Sequence, residues 1–206
     1  MQILVFGDSI TYGAWDKKGG WVERLKRDLN QKTIDSKEEF YCMTYNLGID
    51  GNTTTDLLNR SELETKARLL DDDIIIIFDV GGNDSCFDKS KGNFLTPQQD
   101  FKGNIQKLIN LAKKFSSKIF FVGLIPADEL RTTPVFWDKD KFYKNEHIKK
   151  YDNIIKSVCL DNNINFIDTF NKFSKLNYKS LLEDGLHPNS KGHELIYEEV
   201  KKVLKF

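Results

Sequence analysis

Ser9 stands in Gly7-Asp8-Ser9-Ile10-Thr11, directly after the apolar run 3–6, and Asp184 and His187 stand three residues apart in Asp184-Gly185-Leu186-His187-Pro188. A serine hydroxyl becomes a useful nucleophile when an imidazole takes its proton. The imidazole serves best when a carboxylate fixes its tautomer and stabilises its cation. With Gly185 letting the chain turn, one short segment could supply both the base and its orienter. Two further segments could receive negative charge. Gly48, in Asn46-Leu47-Gly48-Ile49-Asp50-Gly51, has no Cβ to keep a ligand from its N–H, and Asn83, in Gly81-Gly82-Asn83-Asp84, carries side-chain N–H donors. Together these types form a complete inventory for acyl transfer.

Each residue also has a structural reading. Ser9 could cap a following helix, Gly48 and Gly51 could be turn glycines, and Asn83-Asp84 could close an Asx-type turn. Asp8 is expected to brace the Ser9 turn by accepting backbone N–H bonds. His147 and His193 fall on helical segments, where a solvated or core role is expected, and Cys86 reads as a small buried hydrophobe. A cation reading would gather Asp8, Asp84, Asp184 and His187, but their spacing matches no known metal loop, so no metal and no cofactor is expected.

Positioning these groups requires a scaffold, and the hydropathy pattern supplies one. Runs of strand length at 3–6, 40–46, 74–78, 119–123 and 165–168 alternate with helix-like segments at 21–32, 56–70, 96–115 and 144–162 and a last helix capped by Asn189 or Ser190. Thr96-Pro97 reads as a helix start with Thr as N-cap. The run Ile74-Ile75-Ile76-Ile77-Phe78, which follows Asp71-Asp72-Asp73, is apolar on both faces, as a central parallel strand covered by helices must be. Strict alternation predicts an α/β protein with a five-stranded parallel sheet between helical layers, a single domain over 1–206. Ligands of such sheets bind beyond the carboxyl ends of the strands, where the chemical residues fall. The long connection 124–143 is rich in aromatic residues and reads as a binding loop or lid. Tyr12, Trp15, Phe136, Trp137, Phe142 and Tyr143 are the candidate substrate-contacting aromatics, which would suit a carboxylic ester of a small or medium acyl group; the same rings could instead pack a lid onto the domain.

Composition narrows the partners. The 206 residues carry 31 Lys+Arg and 31 Asp+Glu, a formal net charge of zero, which argues against nucleic-acid binding and, more weakly, against polyanionic substrates. The longest apolar run is too short for a membrane span, and the N-terminus shows no basic leader. Three scattered cysteines favour a reducing compartment, so a cytoplasmic location is expected.

Four blocks in order, Gly7-Asp8-Ser9-Ile10, Gly48, Gly82-Asn83-Asp84 and Asp184-Gly-Leu-His187-Pro, make the chain resemble the SGNH hydrolases, also called the GDSL esterase/lipase family. The first block has Ile where the family name has Leu. The resemblance implies a three-layer α/β/α sandwich of flavodoxin-like type. It also implies a serine esterase acting on a small-molecule ester, with Ser9 as nucleophile, His187 and Asp184 completing a triad, and Ser9, Gly48 and Asn83 forming an oxyanion hole. Carbohydrate deacetylase, lysophospholipase and thioesterase activities use the same triad. From another class, the fold pattern also admits a phosphate or nucleotide binder, although the Ser9 loop has one glycine, an acid and no P-loop lysine.

Overall fold

The computed structural model describes residues 1–70 and 73–204. Asp71 and Asp72, the start of the acidic break before the Ile-rich run, lie outside the described residues.

Five strands, β1 (Gln2–Gly7), β2 (Met43–Gly48), β3 (Ile74–Asp79), β6 (Lys118–Val122) and β8 (Asn165–Ile167), form one sheet in the order β2-β1-β3-β6-β8. Every pairing in it is parallel. The middle of the sheet is taken by β1 and β3, all of whose residues are buried. Side chains alternate across a strand, so two cores result. Leu4, Phe6, Ile76 and Phe78 pack with Leu57, Phe101, Ile105, Tyr151 and Ile155 on one face. Ile3, Val5, Ile75 and Ile77 pack with Trp21, Leu25, Leu29, Ile196 and Val200 on the other. The helices supplying these partners are α3 (Thr54–Arg68), α4 (Gln98–Ala112) and α6 (Asn145–Asp161) on the first face, and α2 (Gly20–Asp35) and α8 (Ser190–Leu204) on the second. The expected three-layer α/β/α architecture is therefore observed.

Several boundaries differ from the sequence expectation. The second strand starts at Met43 rather than residue 40, and Phe40 instead lies under the Lys32 ammonium. Helix α3 starts at Thr54 because Thr53 and Asp56 form a reciprocal capping box. Pro97, not Thr96, occupies the cap position of α4, and Thr96 is buried with its carbonyl accepting from the Tyr151 hydroxyl. Asn189 caps α8 through Oδ1, which accepts from the N–H groups of Lys191 and Gly192.

Shorter elements complete the fold: α1 (Ser9–Tyr12), β4 (Phe87–Asp88), β5 (Asn93–Phe94), α5 (Glu129–Thr132), β7 (Lys141–Phe142), α7 (Thr169–Ser174) and a 3₁₀ turn at Tyr178–Leu181. Strands β5, β4 and β7 make a small antiparallel sheet that draws the end of the 124–143 connection against the segment following β3. Strands of two residues carry no readable periodicity, which is why the sequence pattern showed none of them. Among the described residues no helix is long and apolar enough to cross a membrane.

Candidate active site

Register brings the chemical loops together. Gly7, the last residue of β1, lies beside Gly48 of β2 and Asp79 of β3, so the chains leaving all three strands emerge at one level. After Gly7 the chain turns at once into α1. Asp8 drives the turn, with Oδ1 accepting the Ile10 N–H at 2.9 Å, and Gly13 ends it in the left-handed conformation at φ 91°. Ser9 thus occupies the first helical position, where its N–H lies outside the helix's own hydrogen-bond ladder.

The Asp184 segment is folded around its own carboxylate. Oδ1 accepts the N–H groups of Leu186 at 2.9 Å and His187 at 2.8 Å, while Gly185 sits at φ 96°. This leaves Oδ2 for the ring, and it lies 2.7 Å from His187 Nδ1. His187 Nε2 is 3.0 Å from Ser9 Oγ. Burial would push the Asp184 carboxyl up, but the bond and charge of His187 and the two amides outweigh it and bring it down to about 2. The carboxylate is therefore ionised wherever His187 can act, and it requires the Nδ1–H tautomer that leaves Nε2 free to accept from Ser9. The sequence-derived trio is thus assembled in hydrogen-bonding order.

On the anion side, Asn83 Nδ2 donates to the Asn52 carbonyl at 3.0 Å and Oδ1 accepts from the Tyr143 hydroxyl at 3.0 Å, leaving the second amide hydrogen uncommitted by these bonds. Gly48 differs from expectation. Its N–H donates to Asn46 Oδ1 at 3.0 Å, because the Asn46 side chain folds back along its own strand while Nδ2 reaches the Thr11 carbonyl. Gly48 nevertheless sits so close to α1 that a Cβ there would overlap the Tyr12 backbone nitrogen.

Ser9, His187 and Asn83 open into a cleft of about 850 Å³ walled by Trp15, Phe136, Trp137, Tyr143, Leu95 and Leu186. Trp15 stands edge-on to the His187 ring and Trp137 lies tilted against it, with ring centres 6.0 and 6.1 Å away. Two of the aromatics expected here lie elsewhere. Tyr12 lines a neighbouring groove with Asn46 and Glu23. Phe142 faces away with Phe87, Phe94 and His147, since it pairs with Phe87 in the small sheet and successive strand residues point to opposite sides. The rim carries charges that sequence reasoning did not place there: Arg131, Asp138, Lys141 and Glu183 join Asp50. No local motif marks them, because loops distant in the chain bring them together. Lys141 is neutralised by Asp88 at 2.6 Å, so the remaining rim is mainly acidic.

The other candidates fall into supporting places. Asp84, buried at the start of α3, accepts from the Thr54 N–H and hydroxyl, while Asp8 accepts from the Ile10 N–H. Burial pushes the Cys86 thiol up to about 11, as suits a core residue. His147 is partly buried with Nε2 3.2 Å from Glu146. His193 is fully buried with no side-chain partner for its ring among the described residues, and burial draws it down to about 4.

The profile of the GDSL-like Lipase/Acylhydrolase family matches residues 5–195. The chain is 26% identical over 211 residues to a GDSL esterase/lipase of Arabidopsis thaliana, covering 99% of this chain and 64% of that one, so it spans less than two thirds of that relative. It is 23% identical over 226 residues to the isoamyl acetate-hydrolyzing esterase of Saccharomyces cerevisiae, covering 99% of this chain and 86% of that one. Among solved structures, an acetyl xylan esterase superposes with a TM-score of 0.76 at 23% identity over 99% of this chain and all of the other.

Proposed function

Because the chain belongs to the GDSL-like lipase/acylhydrolase family, a family of ester-bond hydrolases, we propose that it is a serine esterase of short-acyl esters in which Ser9 is the nucleophile. The observation that carries the reading is the continuous line of contacts from Asp184 Oδ2 through the His187 ring to Ser9 Oγ, at 2.7 and 3.0 Å.

Ser9 Oγ attacks the ester carbonyl carbon as His187 Nε2 takes its proton, and the carbonyl π pair moves onto oxygen. Asp184 holds the imidazolium so formed. The Ser9 N–H and the second Asn83 amide hydrogen receive the oxyanion, joined by the Gly48 N–H in place of its bond to Asn46; one such donor is worth about 3 to 4 kcal/mol. Collapse of the adduct breaks the bond to the alkoxide, which takes the proton from Nε2. Water, deprotonated by the same imidazole, then cleaves the acyl-enzyme and frees the acid.

The walls support a neutral alcohol. Trp15, Phe136 and Trp137 offer flat apolar faces, and the acidic rim at Asp50, Asp138 and Glu183 disfavours an anionic leaving group. The yeast relative and the structural neighbour are named for different alcohols but for the same acyl group, acetate. An acetyl ester of an uncharged alcohol or sugar is therefore the proposed substrate. No observation favours the nucleotide-binding alternative, since Asp8 occupies the loop where phosphate would sit.

The test is a panel of nitrophenyl acetate, butyrate and octanoate beside an acetylated xylo-oligosaccharide. Falling kcat/KM with acyl length is expected, with turnover on at least one neutral acetate. A preference for octanoate contradicts the substrate assignment.

A further inference from the structure

We propose that Tyr143 is a positioning residue for the reaction, holding the Asn83 carboxamide in the single orientation that presents an N–H to the oxyanion; the role rests on the serine-esterase reading. A carboxamide has two faces that can exchange by rotation, and only one puts nitrogen toward the reacting oxygen. At Asn83 both ends are claimed. The Asn52 carbonyl can only accept, so the atom 3.0 Å from it must be Nδ2. Oδ1 has no hydrogen, so the Tyr143 hydroxyl 3.0 Å from it must donate. Rotating the amide would set oxygen against the Asn52 carbonyl and lose that bond, and would force the Tyr143 hydroxyl to turn from donor to acceptor.

Each clamp is itself anchored. Asn52 Oδ1 accepts from Arg60 Nε at 2.8 Å, and Arg60 Nη2 donates to the carbonyls of Gly7 and Leu47, tying the orienting carbonyl to the ends of β1 and β2. On the other side, Thr132 holds the Tyr143 backbone at both ends: the Tyr143 N–H donates to the Thr132 carbonyl, and the Thr132 hydroxyl donates to the Tyr143 carbonyl. The 124–143 connection thereby delivers a fixed phenol rather than a loose ring. Burial, with the Cys86 sulfur beside it, raises the phenol well above its ordinary range, so it stays protonated and remains a donor. Donation to Oδ1 also withdraws charge from the amide and makes its free N–H a stronger donor, a cooperative effect of linked hydrogen bonds. Tyr143 thus does more than line the cleft with its ring: its hydroxyl acts through Asn83.

The experiment is steady-state hydrolysis of nitrophenyl acetate by wild type, Tyr143→Phe, Asn83→Ala, the double variant and Ser9→Ala, with thermal melts to establish that each is folded. Tyr143→Phe is expected to lower kcat about tenfold with KM within about twofold, Asn83→Ala to lower kcat about a hundredfold, and the double variant to be no slower than Asn83→Ala alone. Inhibition by methylboronic acid, whose tetrahedral adduct on a serine places an oxygen in the anion position, should weaken in parallel with kcat for Tyr143→Phe and so reads the role independently of turnover. A further tenfold loss when Tyr143→Phe is added to Asn83→Ala, a loss confined to KM, or unchanged kcat and boronate affinity overturns the proposal. Full activity in Ser9→Ala would instead bring down the serine reading beneath it, which separates the two failures.

Discussion

Trp15 places its indole N–H 3.1 Å from His187 Nδ1, the same nitrogen that lies 2.7 Å from the Asp184 carboxylate. The indole can donate there only when Nδ1 carries no hydrogen, which is the tautomer that cannot accept the Ser9 proton. An ionised carboxylate at the shorter distance favours the opposite, productive tautomer. Trp15, held at φ 65° and largely exposed, is therefore a neighbour of the histidine and a wall of the cleft rather than a required hydrogen-bond donor.

Trp15→Phe should accordingly keep kcat within about threefold of wild type, because it removes only a donor that competes with Asp184, while KM rises with the lost indole surface. Steady-state kinetics on nitrophenyl acetate measure both. A kcat loss of tenfold or more would show that the indole N–H takes part in the chemistry.

Gly48→Ala should disable the site through the backbone. The new Cβ would overlap the Tyr12 nitrogen and stand 2.8 Å from the Asp8 carbonyl oxygen and the Thr11 carbonyl carbon, so α1 and Ser9 must shift. A loss of about 1 to 3 kcal/mol in urea unfolding and a fall in kcat larger than that in KM are expected. Gly51→Ala is the control: its φ of 75° strains an alanine, but nothing lies within 4 Å of the added carbon, so about 1 kcal/mol is the expected loss. Equal effects at the two positions would contradict the packing explanation.

Two buried groups give opposite slopes of stability with pH. His193, brought by burial from 6.5 to about 4, stays neutral in the fold while the unfolded chain takes up a proton. Its stability contribution is complete above pH 6.5 and is lost as pH falls toward 4, on the order of 3 kcal/mol in all. Asp79, pushed by burial from 3.8 to about 6 despite the donors Trp21 and Thr11, behaves in the other sense. Its contribution is complete below pH 3.8 and is lost as pH rises through 6. Urea midpoints of His193→Gln relative to wild type should therefore improve as pH drops from 6.5 to 4, and those of Asp79→Asn should improve as pH rises from 4 to 6. A pH-independent difference for either variant would contradict the assignment.

The readable and unreadable parts of the site divide by range of interaction. Ser9, Asp184 and His187 could be singled out as candidates because each sits in a short block that resembles a family motif and whose local geometry is self-contained: the Asp8 cap, the Gly185 turn, the Asp184 carboxylate on its own loop amides. The sheet was legible because 74–78 is apolar on both faces and the alternation of runs is strict. What could not be read depends on tertiary placement. The engagement of the Gly48 N–H follows from the side-chain conformation of Asn46, and the parting of Phe142 from Tyr143 follows from a two-residue strand paired with Phe87. The charged rim is assembled from Asp50, Arg131, Asp138 and Glu183, which no spacing connects.

The central claim is that Ser9 is the nucleophile and that His187 activates it across the 3.0 Å contact. It is tested most directly by treating the protein with a fluorophosphonate and locating the adduct by peptide mass spectrometry. The expected result is one phosphonyl group on the Ser9 peptide of wild type, none on Ser9→Ala, and labelling of His187→Ala slowed by at least about a hundredfold. An adduct on another residue, or undiminished labelling of Ser9→Ala, would contradict it.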